Sequence, residues 1–125
     1  MAAPARPQVL HVLSNTHWDR EWLLPFEGYR TLFLRYTDQL LDLLQRDPEF
    51  RHYMMDGQSI CMEDYLALRP ERKPEVQRLV RAGRLLVGPW YTLPDMNLVS
   101  GEAVVRNLLV GILTAEELGG AMREG

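Results

Sequence analysis

Three short apolar runs, residues 8–14, 52–56 and 84–91, each lead into a stretch with helical spacing, and this alternation leaves the chain few architectures. The first run, Gln8-Val-Leu-His-Val-Leu-Ser14, is apolar and partly β-branched and reads as a mostly buried strand. After Pro25 and Gly28, the residues Leu32, Leu34, Leu40, Leu41, Leu43 and Leu44 form the apolar face of a helix that Asp47-Pro48 stops. The second run ends in the turn pair Asp56-Gly57, followed by a helix over Ile60–Leu68 and another that starts near Pro74 and stops at Gly83. The third gives way to a loop holding Leu93-Pro-Asp-Met-Asn97, after which a last helix spans Gly101–Leu118, with Ser100 as its cap and Gly119-Gly120 as its end.

Strands that alternate with helices pair in parallel, because each crossover must pass over a face of the sheet. The expected class is therefore α/β, with parallel strands and outer helices. Three such strands leave an open sheet edge, at which a second copy of the chain can pair. Ligands in folds of this kind bind at the carboxyl ends of the strands. Two clusters of polar and aromatic residues, 15–22 and 90–97, fall at those ends.

Composition narrows the partners. With 46% hydrophobic and 25% charged residues, the 125-residue chain has the make-up of one folded domain. A net charge of −3 without a run of like charges gives no footprint for nucleic acid or an anionic membrane. The single cysteine, Cys61, cannot form an internal disulfide and reads as a small buried hydrophobe. Residues 1–8 are Ala/Pro-rich and expected to be flexible. The apolar stretch 9–13 is too short for a signal-peptide core or a membrane span, so the expected location is the cytoplasm.

His17 and Asp19 lie two apart, so an extended backbone projects both side chains to one face. An imidazole and a carboxylate so placed are half of a zinc site, which takes nitrogen and oxygen ligands at about 2.0–2.2 Å. A hydrogen-bonded surface pair is the plainer reading. Trp18 and Trp22 flank the pair, and an indole packs well on the apolar C–H face of a sugar. Trp22 is assigned to the site, and Trp18 stays open between site and core. Arg20 and Glu21 read as solvated or mutually paired surface charges.

Asp95 reads either as a turn residue or as a carboxylate pointing into the cleft of His17 and Asp19, as metal ligand, nucleophile or both. Retaining glycosidases need one carboxylate to attack the anomeric carbon and a second carboxyl group about 5–5.5 Å away. Asp56 has an address at the same cleft, although Asp-Gly favours a plain turn. His11 reads as buried within its strand, and His52 shows no metal-type spacing.

The segment Thr16-His-Trp-Asp-Arg-Glu-Trp22 resembles the opening motif of glycoside hydrolase family 38 α-mannosidases, especially the bacterial branch that includes mannosylglycerate hydrolases. Asp56-Gly-Gln58, Glu63-Asp-Tyr65, Gly88-Pro-Trp-Tyr91, Leu93-Pro-Asp95 and Val99-Ser-Gly-Glu102 with Arg106-Asn107 follow in the same order. The resemblance implies a (β/α)7-barrel catalytic domain acting on α-mannosides, of which residues 9–125 form the amino-terminal portion. It implies one zinc ion held by His17, Asp19, Asp95 and a later histidine. Asp95 would also form a covalent mannosyl-enzyme intermediate, and Trp22 would line the sugar subsite. Asn15, where many relatives have histidine, and Met96, where many have a glutamate or other polar residue, depart from the pattern. The family's later histidine and its acid/base aspartate correspond to positions past Gly125. No acid/base is therefore assigned here, and the chain by itself is expected to be inactive. The alternative is a non-catalytic metal-binding or interaction module derived from that barrel. Another metal hydrolase on a similar barrel, such as a deacetylase, explains residues 88–95 less well.

Overall fold

The computed structural model describes residues 8–124. The elements run β1 (Ser14–Asn15), α1 (Phe26–Arg46), β2 (Tyr53–Met54), α2 (Ile60–Leu68), a 3₁₀ turn (Pro70–Arg72), α3 (Lys73–Arg81), β3 (Leu85–Leu86) and α4 (Gly101–Leu118). The strands form one parallel sheet in the order β1-β2-β3, with Ser14 beside Tyr53 and Tyr53 beside Leu85. A further parallel bridge joins Gln58 to Trp90, so β2 and β3 stay side by side into the loops at their carboxyl ends. The expected α/β class with parallel strands holds. Of the segment expected to be flexible, 1–8, only Gln8 is among the described residues.

The first apolar run departs from expectation. Only Ser14 and Asn15 pair as strand, while Val9, Leu10 and Val12 are 74%, 87% and 85% exposed and His11 is exposed with them. The run is apolar enough for a buried strand, but β1 is the sheet's edge and no described residue covers the segment that leads into it. Periodicity reports what a segment can bury, not what lies over it.

Helix α1 also turns differently from its leucine pattern. Its buried residues are Phe33, Thr37, Leu40, Leu41 and Leu44, spaced by three and four, whereas Leu32 and Leu43 face solvent. The aromatic contacts decide this, since Phe33 packs beside Trp18 at 4.8 Å and Tyr36 lies 6.2 Å from the same indole. Helices α2 and α3 add Met62, Tyr65, Val76 and Leu79 to one core with Met55, Leu85 and Val87 from the sheet. Each such side chain contributes on the order of 1.5–3 kcal/mol by leaving water. Asp38 on α1 accepts from the Tyr65 hydroxyl (2.7 Å) and from Arg69 (3.3 Å), and Arg72 reaches Asp42 (2.9 Å), so polar ties join the same helices at their rim.

Helix α4 begins where Ser100 Oγ accepts the Ala103 N–H (3.2 Å), and it ends at Gly119 with φ +125°. Its contact with the loop after β3 is backbone to backbone. A Cβ added to Gly111 would lie 2.2 Å from both the Trp90 carbonyl carbon and the Tyr91 nitrogen, so only glycine allows the helix this close. One turn earlier, Asn107 accepts the Tyr91 and Thr92 N–H groups (2.8 and 2.9 Å) and donates to the Thr92 carbonyl (2.6 Å). Helix α4 thereby holds the loop that carries Asp95.

Candidate active site

The residues 16–20 leave β1 at its carboxyl end and run past the ends of β2 and β3. His17, Trp18, Asp19 and Arg20 line a cavity of about 200 Å³ together with Gln58, Thr92 and Leu93. His17 Nε2 lies 3.8 Å from Asp19 Oδ1. Two donors on one tetrahedral zinc ion, each at about 2.0–2.2 Å, lie roughly 3.3–3.6 Å apart. The pair is a few tenths of an ångström wider than that, so a small side-chain rotation brings its nitrogen and oxygen donors to two positions of a zinc site.

Asp95 lies elsewhere. It lines a neighbouring cavity of about 460 Å³ with Tyr91, Thr92, Leu93, Pro94, Val99, Ala103, Arg106, Asn107 and Val110. The two cavities share Thr92 and Leu93. A turn that closes when the Leu98 and Val99 N–H groups donate to the Asp95 carbonyl (2.9 and 3.2 Å) directs the chain toward α4. Among the described residues no three or more His, Cys, Asp or Glu gather closely enough to hold a metal ion. His17 and Asp19 are thus together, and Asp95 lines the adjoining cavity on the loop the two cavities share.

Trp18 is half-buried against the core and also lines the cavity. Its ring packs on Tyr29, Phe33 and Tyr36. Trp22 is 74% exposed and is absent from the residues lining the cavity. Asn15 stays at the surface with its side-chain amide donating to the Leu13 carbonyl (3.3 Å), and Met96 is exposed. His52 ties its Nδ1 to the Gly83 carbonyl (2.8 Å), a loop contact far in sequence from the pair.

Arg20 corrects the reading of a surface charge. It makes two contacts with Asp64 on α2 (2.7 and 3.0 Å) and lies over the Phe26 ring, which pins the far end of the His17 segment to the helix layer. The hydrogen bond to Asp64 raises the guanidinium's pKa further. Tyr91 is pushed up by burial and by its hydrogen bond to Glu63 (2.8 Å), so its hydroxyl remains a donor there.

The Asp56-Gly57 pair predicts Asp56 to be a turn residue. It is one, with φ +50° followed by Gly57 at φ +67°. Its carboxylate also accepts the Trp18 N–H (2.7 Å) and the Gln58 amide (2.8 Å), and it lies 3.3 Å from His17 Nδ1. An Asp-Gly pair announces only the turn, and the contacts across 38 and 39 residues carry no local signal.

The sequence profile of the glycosyl hydrolases family 38 N-terminal domain matches residues 7–124, and the chain belongs to that family. The chain is 52% identical over 109 residues to a Halalkalibacterium halodurans protein named "Putative mannosylglycerate hydrolase", covering 87% of this chain and 12% of that protein. It is 31% identical over 103 residues to human "Alpha-mannosidase 2C1", covering 82% and 10%. The crystal structure of an alpha-mannosidase from Enterococcus faecalis V583 superposes with a TM-score of 0.84 at 44% identity, over 88% of this chain and 12% of that one. A second family 38 structure from Enterococcus faecalis gives 0.81 at 41% identity, over 90% and 13%. The chain thus spans about an eighth of the length of most of these relatives.

Proposed function

We propose that the chain supplies the first strands of the (β/α)7-barrel catalytic domain of a zinc-dependent retaining α-mannosidase. The observation that carries the reading is the His17 and Asp19 pair, 3.8 Å apart in one cavity beyond the strand ends, in a chain of family 38. His17 and Asp19 would hold the zinc ion, and Asp95, which lines the adjoining cavity, would have to move in beside them as the third ligand and would be the nucleophile. When bound, the ion acts as a Lewis acid that polarises a sugar hydroxyl. The Asp95 carboxylate attacks the anomeric carbon as the bond to the leaving oxygen breaks, and that oxygen takes the electron pair and needs a proton. Water then cleaves the mannosyl ester and releases the sugar with its configuration retained. Trp22 packs on the sugar, and Asn107 holds Thr92 so that the Asp95 loop has one course. A cytoplasmic location belongs to the same reading, supported by the free, buried thiol of Cys61. Among the described residues no helix is long and apolar enough to cross a membrane.

Asp95 is the only carboxyl group among the residues lining its cavity, so no second carboxyl group stands there to protonate a leaving oxygen. General acid help is worth about 10²–10⁴ in rate. The purified chain with zinc is therefore expected not to turn over an alkyl α-mannoside. A mannosyl fluoride bearing a second fluorine that slows deglycosylation removes the need for a proton donor. It is expected to add one mannosyl group to Asp95, located by mass spectrometry, and to leave the Asp95→Asn variant unlabelled. Absence of the adduct, or an adduct that persists in the variant, would count against Asp95 as the nucleophile.

A second reading, a non-catalytic interaction module, is favoured by one observation. The apolar run before β1 and the outer face of α4 at Val105, Leu109 and Leu113 are both exposed.

A further inference from the structure

We propose that Asp56 is a positioning residue that holds His17 in a single tautomer, with the proton on Nδ1 and the Nε2 lone pair presented beside Asp19. The inference rests on reading His17 and Asp19 as a cation site and adds to it the group that orients the imidazole.

The geometry leaves Asp56 little freedom. The carboxylate side chain is 10% exposed, and the left-handed φ of +50° at its own backbone turns it off the end of β2 toward the residues that follow β1. Oδ2 accepts two hydrogen bonds, from the Trp18 N–H (2.7 Å) and from Gln58 Nε2 (2.8 Å). The same Gln58 nitrogen donates to the Trp18 carbonyl (2.8 Å), so both backbone groups of the residue between His17 and Asp19 are fixed by the one pair of side chains. Gln58 itself is buried. Oδ1 is left to face His17 Nδ1 at 3.3 Å.

An ionised carboxylate can only accept. In the neutral ring the nitrogen facing it therefore carries the proton, and the other, Nε2, is bare. Nε2 is the nitrogen that lies 3.8 Å from Asp19 Oδ1. A cation needs that lone pair, and a carboxylate behind a ligating imidazole fixes its tautomer and raises its basicity.

The consequence is specific to one substitution. In Asp56→Asn the single side-chain oxygen is claimed by the Trp18 N–H and by Gln58, which turns the amide NH₂ toward His17 Nδ1. That nitrogen must then accept, and the proton moves to Nε2, where it blocks a cation. Asparagine tolerates the left-handed backbone as aspartate does, so the turn survives.

The experiment uses metal-free chain labelled with ¹⁵N at histidine, above the usual imidazole range, with His17→Ala assigning one of the three imidazole patterns. The expected result is the Nδ1–H tautomer of His17 in the unaltered chain and a shift to Nε2–H in Asp56→Asn, with core methyl resonances unchanged. A His17 already in the Nε2–H form, or a tautomer unmoved by Asp56→Asn, overturns the proposal. Titration with zinc alone gives the second readout. The dissociation constant is expected to rise about 10–100-fold in Asp56→Asn. A tautomer that switches without weakening zinc also overturns the positioning role. Equal zinc affinity in the unaltered chain and His17→Ala sinks the cation-site reading instead, and the metal-free tautomer still judges Asp56.

Discussion

Cys61 shows how a single side chain reports the packing around it. It sits in the first turn of α2, buried, one turn before Asp64. Burial first, and the Asp64 charge second, push its thiol from 9.0 up to about 12. Above pH 9 the unfolded chain releases this proton while the folded chain keeps it, so folding is penalised as pH rises. The contribution is complete below pH 9 and is lost between pH 9 and about 12. Urea unfolding across that range is expected to show stability falling by up to about 1.4 kcal/mol per pH unit from this group. Cys61→Ala lowers the overall level by leaving a small void, and it should flatten the slope above pH 9. An unchanged slope would mean that the thiol is not held neutral by the core.

Helix α4 acts as an element by lying directly on backbone. The loop that carries Asp95 is shaped by Asn107 and by the absence of a side chain at Gly111, both on the face toward Trp90 and Tyr91. Gly111→Ala improves the intrinsic helix propensity by about 1 kcal/mol. Its methyl group would nevertheless lie 2.2 Å from two backbone atoms, so the helix must move away. Overpacking of this kind costs about 1–3 kcal/mol, and against rigid backbone it outweighs the propensity gain. The expected outcome is a lower urea midpoint with an unchanged m-value, together with shifted amide resonances for Thr92 and Leu93. A stabilised variant would show that propensity, not the close approach, governs this position.

On the scale of the molecule, a single core leaves several large apolar side chains exposed. Helices α1, α2 and α3 pack into one core with Tyr53, Leu85 and the inner residues Ala115 and Leu118 of α4, while Val9, Leu10, Val12 and the outer face of α4 remain open to solvent. Exposed apolar runs beside a sheet edge favour pairing with another chain. Sedimentation velocity is expected to show average mass rising with concentration for the unaltered chain. A Val12→Lys, Leu109→Lys variant with the same circular dichroism should sediment as monomer. A monomer at every concentration in the unaltered chain would remove self-association and, with it, the main support for the interaction-module reading.

The order of strands and helices, the stops at Asp47-Pro48 and Gly83, the cap at Ser100 and the segments bearing His17, Asp19 and Asp95 were all set by local sequence, because propensity, capping and turn chemistry act within a few residues. Family membership was legible for the same reason, being carried by short motifs in a fixed order. Tertiary structure alone decided that Val9 to Val12 stay exposed, that Phe33 rather than Leu32 enters the core, and that Arg20 binds Asp64. It also placed Asp95 in a cavity beside that of His17 and Asp19, and set Asp56 behind the imidazole. These outcomes depend on what another part of the chain brings into contact, and a pattern along one segment carries no record of its partner.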